Sequence, residues 1–216
     1  MPVTLIYCLL FAAPLANPAV DYYDPRVGGG SLLDKSSGLG EPLNVIISGK
    51  SSPEVLTQKG FLQFAQAIGF QQECLGLHQG AAQTANLGDG RGDVPELAVI
   101  RQDFNLPGLG TCIESLVGGN HFRIFPQTGP NANSGALFLA VSREADLAHH
   151  HTIAKNGYNL GRDGLVASAL HPHRIHGRTY STTVTEIQGL LTAGANGINH
   201  GIAQDGVVKL LTVTVK

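Results

Sequence analysis

The sequence predicts an α+β fold, a mostly antiparallel sheet with two or more helices packed on it, in a single domain. Three observations carry this. Residues 43–48, LNVIIS, and 207–215, VVKLLTVTV, are apolar, β-branched runs of strand length. Residues 121–125, HFRIF, alternate with a period of two, whereas 136–141, ALFLAV, are apolar on both faces and therefore form a covered central strand. Two further stretches, 53–68 and 161–170, space their apolar residues as helices do.

The chain has 216 residues, enough for one domain with a proper core. Its 14 Lys and Arg nearly balance 16 Asp and Glu, and no basic run occurs, which excludes a nucleic-acid surface. With 28 glycines and no tryptophan, the chain has many turns and a largely aliphatic core.

Residues 1–19 read as a secretory leader, because the apolar run from Val3 to Ala13 is too short to span a bilayer. Its removal takes Cys8 and leaves Cys74 and Cys112. In an extracellular chain such an even pair predicts one disulfide, the alternative being two unrelated buried thiols. No transmembrane segment is expected in the mature chain. Residues 20–41, rich in Gly, Ser and charge, read as an exposed arm, and 42–216 as the single α+β domain.

In chain order, the strand at 43–48 precedes a helix whose start is marked by Ser51 and Glu54 at capping-box spacing, with Gly69 ending it. Residues 74–93 read as a long loop, in which Arg91-Gly92-Asp93 has the wording of an integrin-binding tripeptide but reads as a solvated turn. A strand at 97–100 and a short helix at 110–117 follow. After HFRIF and ALFLAV, residues 147–153 are expected to return as the antiparallel partner strand. His149 and His151 then share one face and His150 takes the other. A helix at 161–170 carries Arg162 and Asp163 at its start, where a carboxylate suits the dipole. Strands at 177–185 and 207–215 complete the domain.

The candidate cleft comprises His121, Arg123, His149, His150, His151, Arg162 and Asp163. Imidazole and carboxylate are ligands for Zn, Fe and Mn, so His121, His151 and Asp163 are the candidate set for a divalent metal. Arg123, on the face of His121, is suited to hold a carboxylate or phosphate in two bonds. A metal-free binding or acid–base cleft and a solvated histidine hairpin are the alternatives.

Asn120-His121-Phe122-Arg123-Ile124-Phe125, the later His150-His151, and Arg162-Asp163 resemble the bacterial LssY C-terminal domain, as does the opening PLNVIISGKSSPEVL. The phrases CLGLHQG, QTANLGDG, GGNHFR, NSGALFLAVS and NHGIAQDG are similar to small secreted fungal proteins of unknown role. The family pattern has Asp where Asn120 stands and Glu where Gly161 stands. The resemblance implies a fold and a site location rather than a reaction. The functional expectation is a secreted protein that binds a small anionic or carbohydrate-linked ligand, or a wall or host partner, through a His/Arg/Asp cleft. A secreted metal-dependent or His/Asp acid–base hydrolase is the alternative. No G-x-S-x-G elbow occurs, and disulfide closure leaves no thiol nucleophile, so serine and thiol hydrolases lose support.

Overall fold

A computed structural model describes residues 19–36, 38–76, 81–106, 109–150 and 152–216. The expected leader falls outside these residues but for its last position, and so does His151. The elements are β1 (Asp34–Lys35), β2 (Leu43–Ile47), α1 (Gln58–Ala67), β3 (Phe70–Gln72), β4 (Thr84–Asn86), β5 (Asp93–Pro95), β6 (Val99–Gln102) and α2 (Gly110–Val117). There follow β7 (Gly119–Gly129), β8 (Ala132–Glu144), α3 (Gly157–Leu170), β9 (His173–Ile175), β10 (Arg178–Ile187) and β11 (Val208–Val215).

The fold is α+β. Its main sheet has eight strands in the order β3-β6-β7-β8-β2-β11-β10-β9, and a small antiparallel sheet has the order β1-β4-β5. The main sheet is mixed, which corrects the expected antiparallel pattern. The first and last long strands, β2 and β11, lie side by side and parallel, Val45 opposite Lys209. All its other neighbours are antiparallel.

Alternation along β7 sorts the sheet into two faces. Phe122 and Ile124 join Val45, Ile47, Leu139 and Val141 under α1 and α3, where Phe61 and Phe70 contact the Phe122 ring. His121, Arg123 and Phe125 point the other way. There Phe125, Ile46 and Phe138 pack against Leu32, Ala85 and Leu87 from outside the main sheet.

The Gly/Ser-rich segment expected as an exposed arm is part of that second layer. Leu32, Asp34, Ser36 and Glu41 are buried, and β1 pairs with β4. Its glycines serve close approach rather than flexibility. A Cβ at Gly28 would stand 1.9 Å from the Gly88 carbonyl oxygen, and one at Gly30 2.3 Å from that of Asn86. Composition alone does not separate these two uses of glycine.

Helix α1 begins later than the capping-box spacing suggests. The Ser51 and Ser52 hydroxyls instead accept the Val213 and Val215 N–H groups of β11, each at 3.0 Å. Thr57 caps the helix, its Oγ1 accepting the Gly60 N–H at 3.1 Å. Thr57→Ala should therefore lower unfolding stability by about 1 kcal/mol, measured by urea denaturation, while an unchanged midpoint would deny the cap its role.

The Cys74–Cys112 disulfide is formed and ties the segment after β3 to α2. Closing a loop of 38 residues stabilises the fold by roughly 4 kcal/mol in the chain-entropy model. No helix among the described residues is long and apolar enough to cross a membrane.

The largest departure is at 147–153. Leu147–His149 form a 3-10 turn, capped by Asp146, whose carboxylate accepts the His149 N–H at 3.1 Å. His150 closes it in the left-handed region at φ 57°, and among the described residues only Ile153 bridges back to Glu144. Asp146 supplies a local cap that competes successfully with the sheet ladder.

Candidate functional site

Register fixes the first layer of the site. Arg101 of β6, His121 of β7 and Ser142 of β8 stand opposite one another, and Val99, Arg123 and Ala140 form the next row. All lie on the face opposite Phe122, where Arg123 reaches the layer built from residues 25–42 and Arg101 reaches α2. Arg123 donates from Nη1 to Glu41 Oε2 at 2.7 Å, and its Nε lies 3.3 Å from Glu96 Oε2. With the Gln83 amide turned so that nitrogen donates to Asp34 Oδ2 (2.9 Å), its oxygen accepts from Arg123 Nη2 at 3.1 Å. Arg101 bridges Glu114 (2.9 Å) and Glu144 (2.8 Å), with Glu73 at 3.6 Å.

His121 is 1% exposed. Its Nδ1 lies 3.3 Å from Glu144 Oε1, and Arg123 Nη1 lies 3.3 Å from its Nε2. Because a guanidinium only donates, this arrangement fits an imidazole whose proton sits on Nδ1, facing Glu144.

Burial dominates the electrostatics. It pushes the Asp34 carboxyl up to about 7, helped by the neighbouring Glu41 charge and opposed by the Glu41 backbone N–H and Arg123. Burial also raises Glu41, against the pull of Arg123. For Arg101, burial works against the charge, but Glu144 and Glu114 outweigh it and hold the guanidinium more firmly protonated than usual. Burial, then Glu41 and Asp34, raises the Tyr158 phenol.

The sequence places His121 and Arg123 on one face, and they are there. The rest of the expected cleft is dispersed. His149 projects into solvent, 71% exposed, and pairs with Asp146 at 2.6 Å. His150 ends the same turn. Arg162 and Asp163 lie inside α3 rather than at its start, on the opposite side of the sheet from His121. There the buried Arg162 forks onto Asp205 (2.5 and 2.9 Å), reaches the Val207 carbonyl (2.9 Å) and binds Asp163 (2.8 Å). Of the candidate metal set, His121 and Asp163 are thus separated by the sheet and His151 falls outside the described residues. Among the described residues no group of three or more His, Cys, Asp or Glu is arranged to hold a metal ion. The Arg91-Gly92-Asp93 tripeptide is folded onto the protein, Arg91 pairing with Asp89 and Asp93 with Lys35.

No family model, no curated protein and no solved structure matches this chain. Its likeness to the LssY C-terminal domain stands on the quoted motif residues alone, and the site must be read from its own chemistry.

Six carboxylates (Asp34, Glu41, Glu73, Glu96, Glu114 and Glu144) surround two guanidiniums and His121, so the network repels rather than attracts an anion. Arg123, expected to receive an anionic ligand, is occupied by Glu41 and Glu96. The acidic partners come from the 25–42 layer, α2, β8 and the segments around β3 and β6. No spacing in the sequence links them, and only the alternation at 121–125 hinted at a charged face.

Open space lies at the sheet edge. A cavity of about 320 Å³ wraps β3, between Gln66 of α1, Gln71 and Gln72, Asp103 and Thr111 of α2. A second, of about 290 Å³, is lined by Ala82, Glu96 and residues 97–99. The two share Gln72, Glu73 and Gly76 and so meet beside Cys74. Neither carries a Lys, Arg or His among its described lining residues. Glu73 and Glu96 belong both to this groove and to the ion-pair network.

Proposed function

We propose that the protein is an extracellular binding protein for a neutral, hydroxyl-rich ligand, a wall saccharide, held in the groove around β3. The observation that carries this is the polar part of the lining, Gln66, Gln71, Gln72, Glu73, Glu96 and Asp103, set among apolar residues such as Leu62, Ile100 and Leu97, with no basic side chain among the described lining residues of two adjoining cavities. Carboxylates accept hydroxyl protons, amides both donate and accept, and each cavity has about the volume of a small-molecule site. The Cys74–Cys112 bond joins the two walls and supports a preformed groove, which lowers the entropy lost on binding. It also agrees with an oxidising compartment, as the leader suggests.

The acid–base hydrolase reading draws on Asp34, whose carboxyl is pushed up to about 7. Asp34 is only 2% exposed and lines neither cavity, which favours the binding reading.

Isothermal titration with soluble β-glucan and chitin oligosaccharides tests the proposal. Binding should occur with at least one series, and Gln66→Ala with Gln72→Ala should weaken it about tenfold without moving the thermal midpoint. Both side chains are exposed, so the double variant should fold. Absence of binding to either series, or an unaffected double variant, would remove the groove from consideration.

A further inference from the structure

A third cavity, of about 300 Å³, lies on the helix-covered face between α1 and α3. Its floor follows from register. Phe70 stands opposite Gln102 and Asn120 opposite Arg143, and the Asn120 N–H donates to Gln102 Oε1, so one apolar and three polar side chains lie beyond the Ile100–Phe122–Val141 row of the core. Helix α3 passes close above. A Cβ at Gly164 would stand 2.9 Å from Asn120 Nδ2, and the same nitrogen donates to the Gly161 carbonyl at 3.1 Å.

Two features of this floor are unexplained by the fold. Asn120 is 6% exposed, and its Oδ1 is buried with no hydrogen-bond partner among the described residues. Its Nδ2 is committed to α3, and the residue lines the cavity. Arg143, at the mouth of the same cavity, is exposed, and its guanidinium makes no ion pair or hydrogen bond among the described residues. Arg101, Arg123 and Arg162 of the same domain are each held by carboxylates. Asp103 lines the cavity at its β6 end, where its carboxylate accepts from Asn105 N–H and the Gln71 amide. Ile68 and Phe70 supply apolar wall.

We propose that this cavity binds the zwitterionic head of a small α-amino acid. The guanidinium of Arg143 takes the carboxylate, and Asn120 Oδ1 and Asp103 take the ammonium. Ile68 and Phe70 face an apolar side chain. Charge sets the class: an anion without a cationic group meets Asp103, and a cation without a carboxylate meets Arg143. The Arg143 and Asp103 backbones are about two strand spacings apart, roughly 10 Å, a span that the long arginine side chain shortens to the size of such a head group. The site lies beyond the saccharide groove, touching it only at Asp103, and does not depend on that reading.

The test is titration of the whole chain with L-phenylalanine, N-acetyl-L-phenylalanine and phenethylamine, followed by calorimetry and by amide NMR. L-Phenylalanine should bind and shift the Asn120 side-chain amide and the Gly164 N–H. The two analogues, each lacking one charge, should bind at least tenfold more weakly. Arg143→Met alters an exposed side chain, so it should fold normally and lose at least tenfold in affinity. Equal affinity of the three compounds, no binding of any, or undiminished binding by Arg143→Met would each overturn the proposal.

Discussion

Arg123→Met should destabilise the protein by about 3–5 kcal/mol at pH 8, because truncating one partner of a buried ion pair leaves the other charge buried without compensation. The stranded group is Glu41, whose side chain is 4% exposed and whose carboxylate receives Arg123 Nη1 at 2.7 Å. Burial already raises the Glu41 carboxyl, and Arg123 is the largest influence holding it down. Without Arg123 it should rise further. The variant should therefore recover stability as the pH falls and Glu41 becomes neutral, so the deficit at pH 5 is smaller than at pH 8. Arg123→Lys keeps the charge but cannot serve Glu41, Glu96 and Gln83 from one planar fork, and it should fall between the two. Urea denaturation at both pH values measures the set. A methionine variant within 1 kcal/mol of the parent at pH 8 would show that Arg123 is not what makes the buried acids tolerable.

Strands were legible wherever pattern and burial agree. The runs at 43–48, 136–141 and 207–215 are all in the main sheet, and the period of two in HFRIF correctly separated His121 and Arg123 from Phe122 and Ile124. The cysteine pair was legible because setting aside the expected leader leaves only two. What pattern could not reveal was competition for polar groups. Ser51 reads as a helix cap but is claimed by a strand distant in sequence, and Asp146 caps a 3-10 turn over Leu147–His149 where the pattern predicts a strand. The ligand-bearing face failed for a related reason. Helix α3 lies on the side of Phe122, so the Arg162-Asp163 pair is separated from His121 by the sheet. The partners that His121 and Arg123 do have, Glu41, Glu96 and Glu144, sit in segments without periodicity. A Gly-rich stretch that reads as an exposed arm carries one of the most buried carboxylates among the described residues.

That carboxylate, Asp34, gives the second large effect. Asp34→Asn should stabilise the protein at pH 8 by an amount on the order of 4 kcal/mol, the free energy of moving a carboxyl from 3.8 to about 7. The shift is caused first by burial and then by Glu41, and it means that the folded protein holds the Asp34 proton more tightly than the unfolded chain does. The sign follows. Well below pH 4, Asp34 is protonated in both states and its contribution to stability is fully present. Between about pH 4 and 7 the folded state retains a proton that the unfolded state has released, so stability falls as pH rises. Above about pH 7 both states are ionised and the loss is complete. Glu41 is raised in the same direction and adds to the slope. Asparagine keeps the oxygen that accepts the Glu41 N–H at 2.7 Å but carries no charge at any pH. Its curve should therefore run close to the parent near pH 4 and above it at pH 8, leaving a shallower slope to which Glu41 contributes. Denaturation free energies at pH 4, 5.5, 7 and 8.5 trace both curves. A parent whose stability does not decline across that range, or an asparagine variant no more stable than the parent at pH 8.5, would mean that Asp34 is ionised at little cost and that its surroundings solvate it.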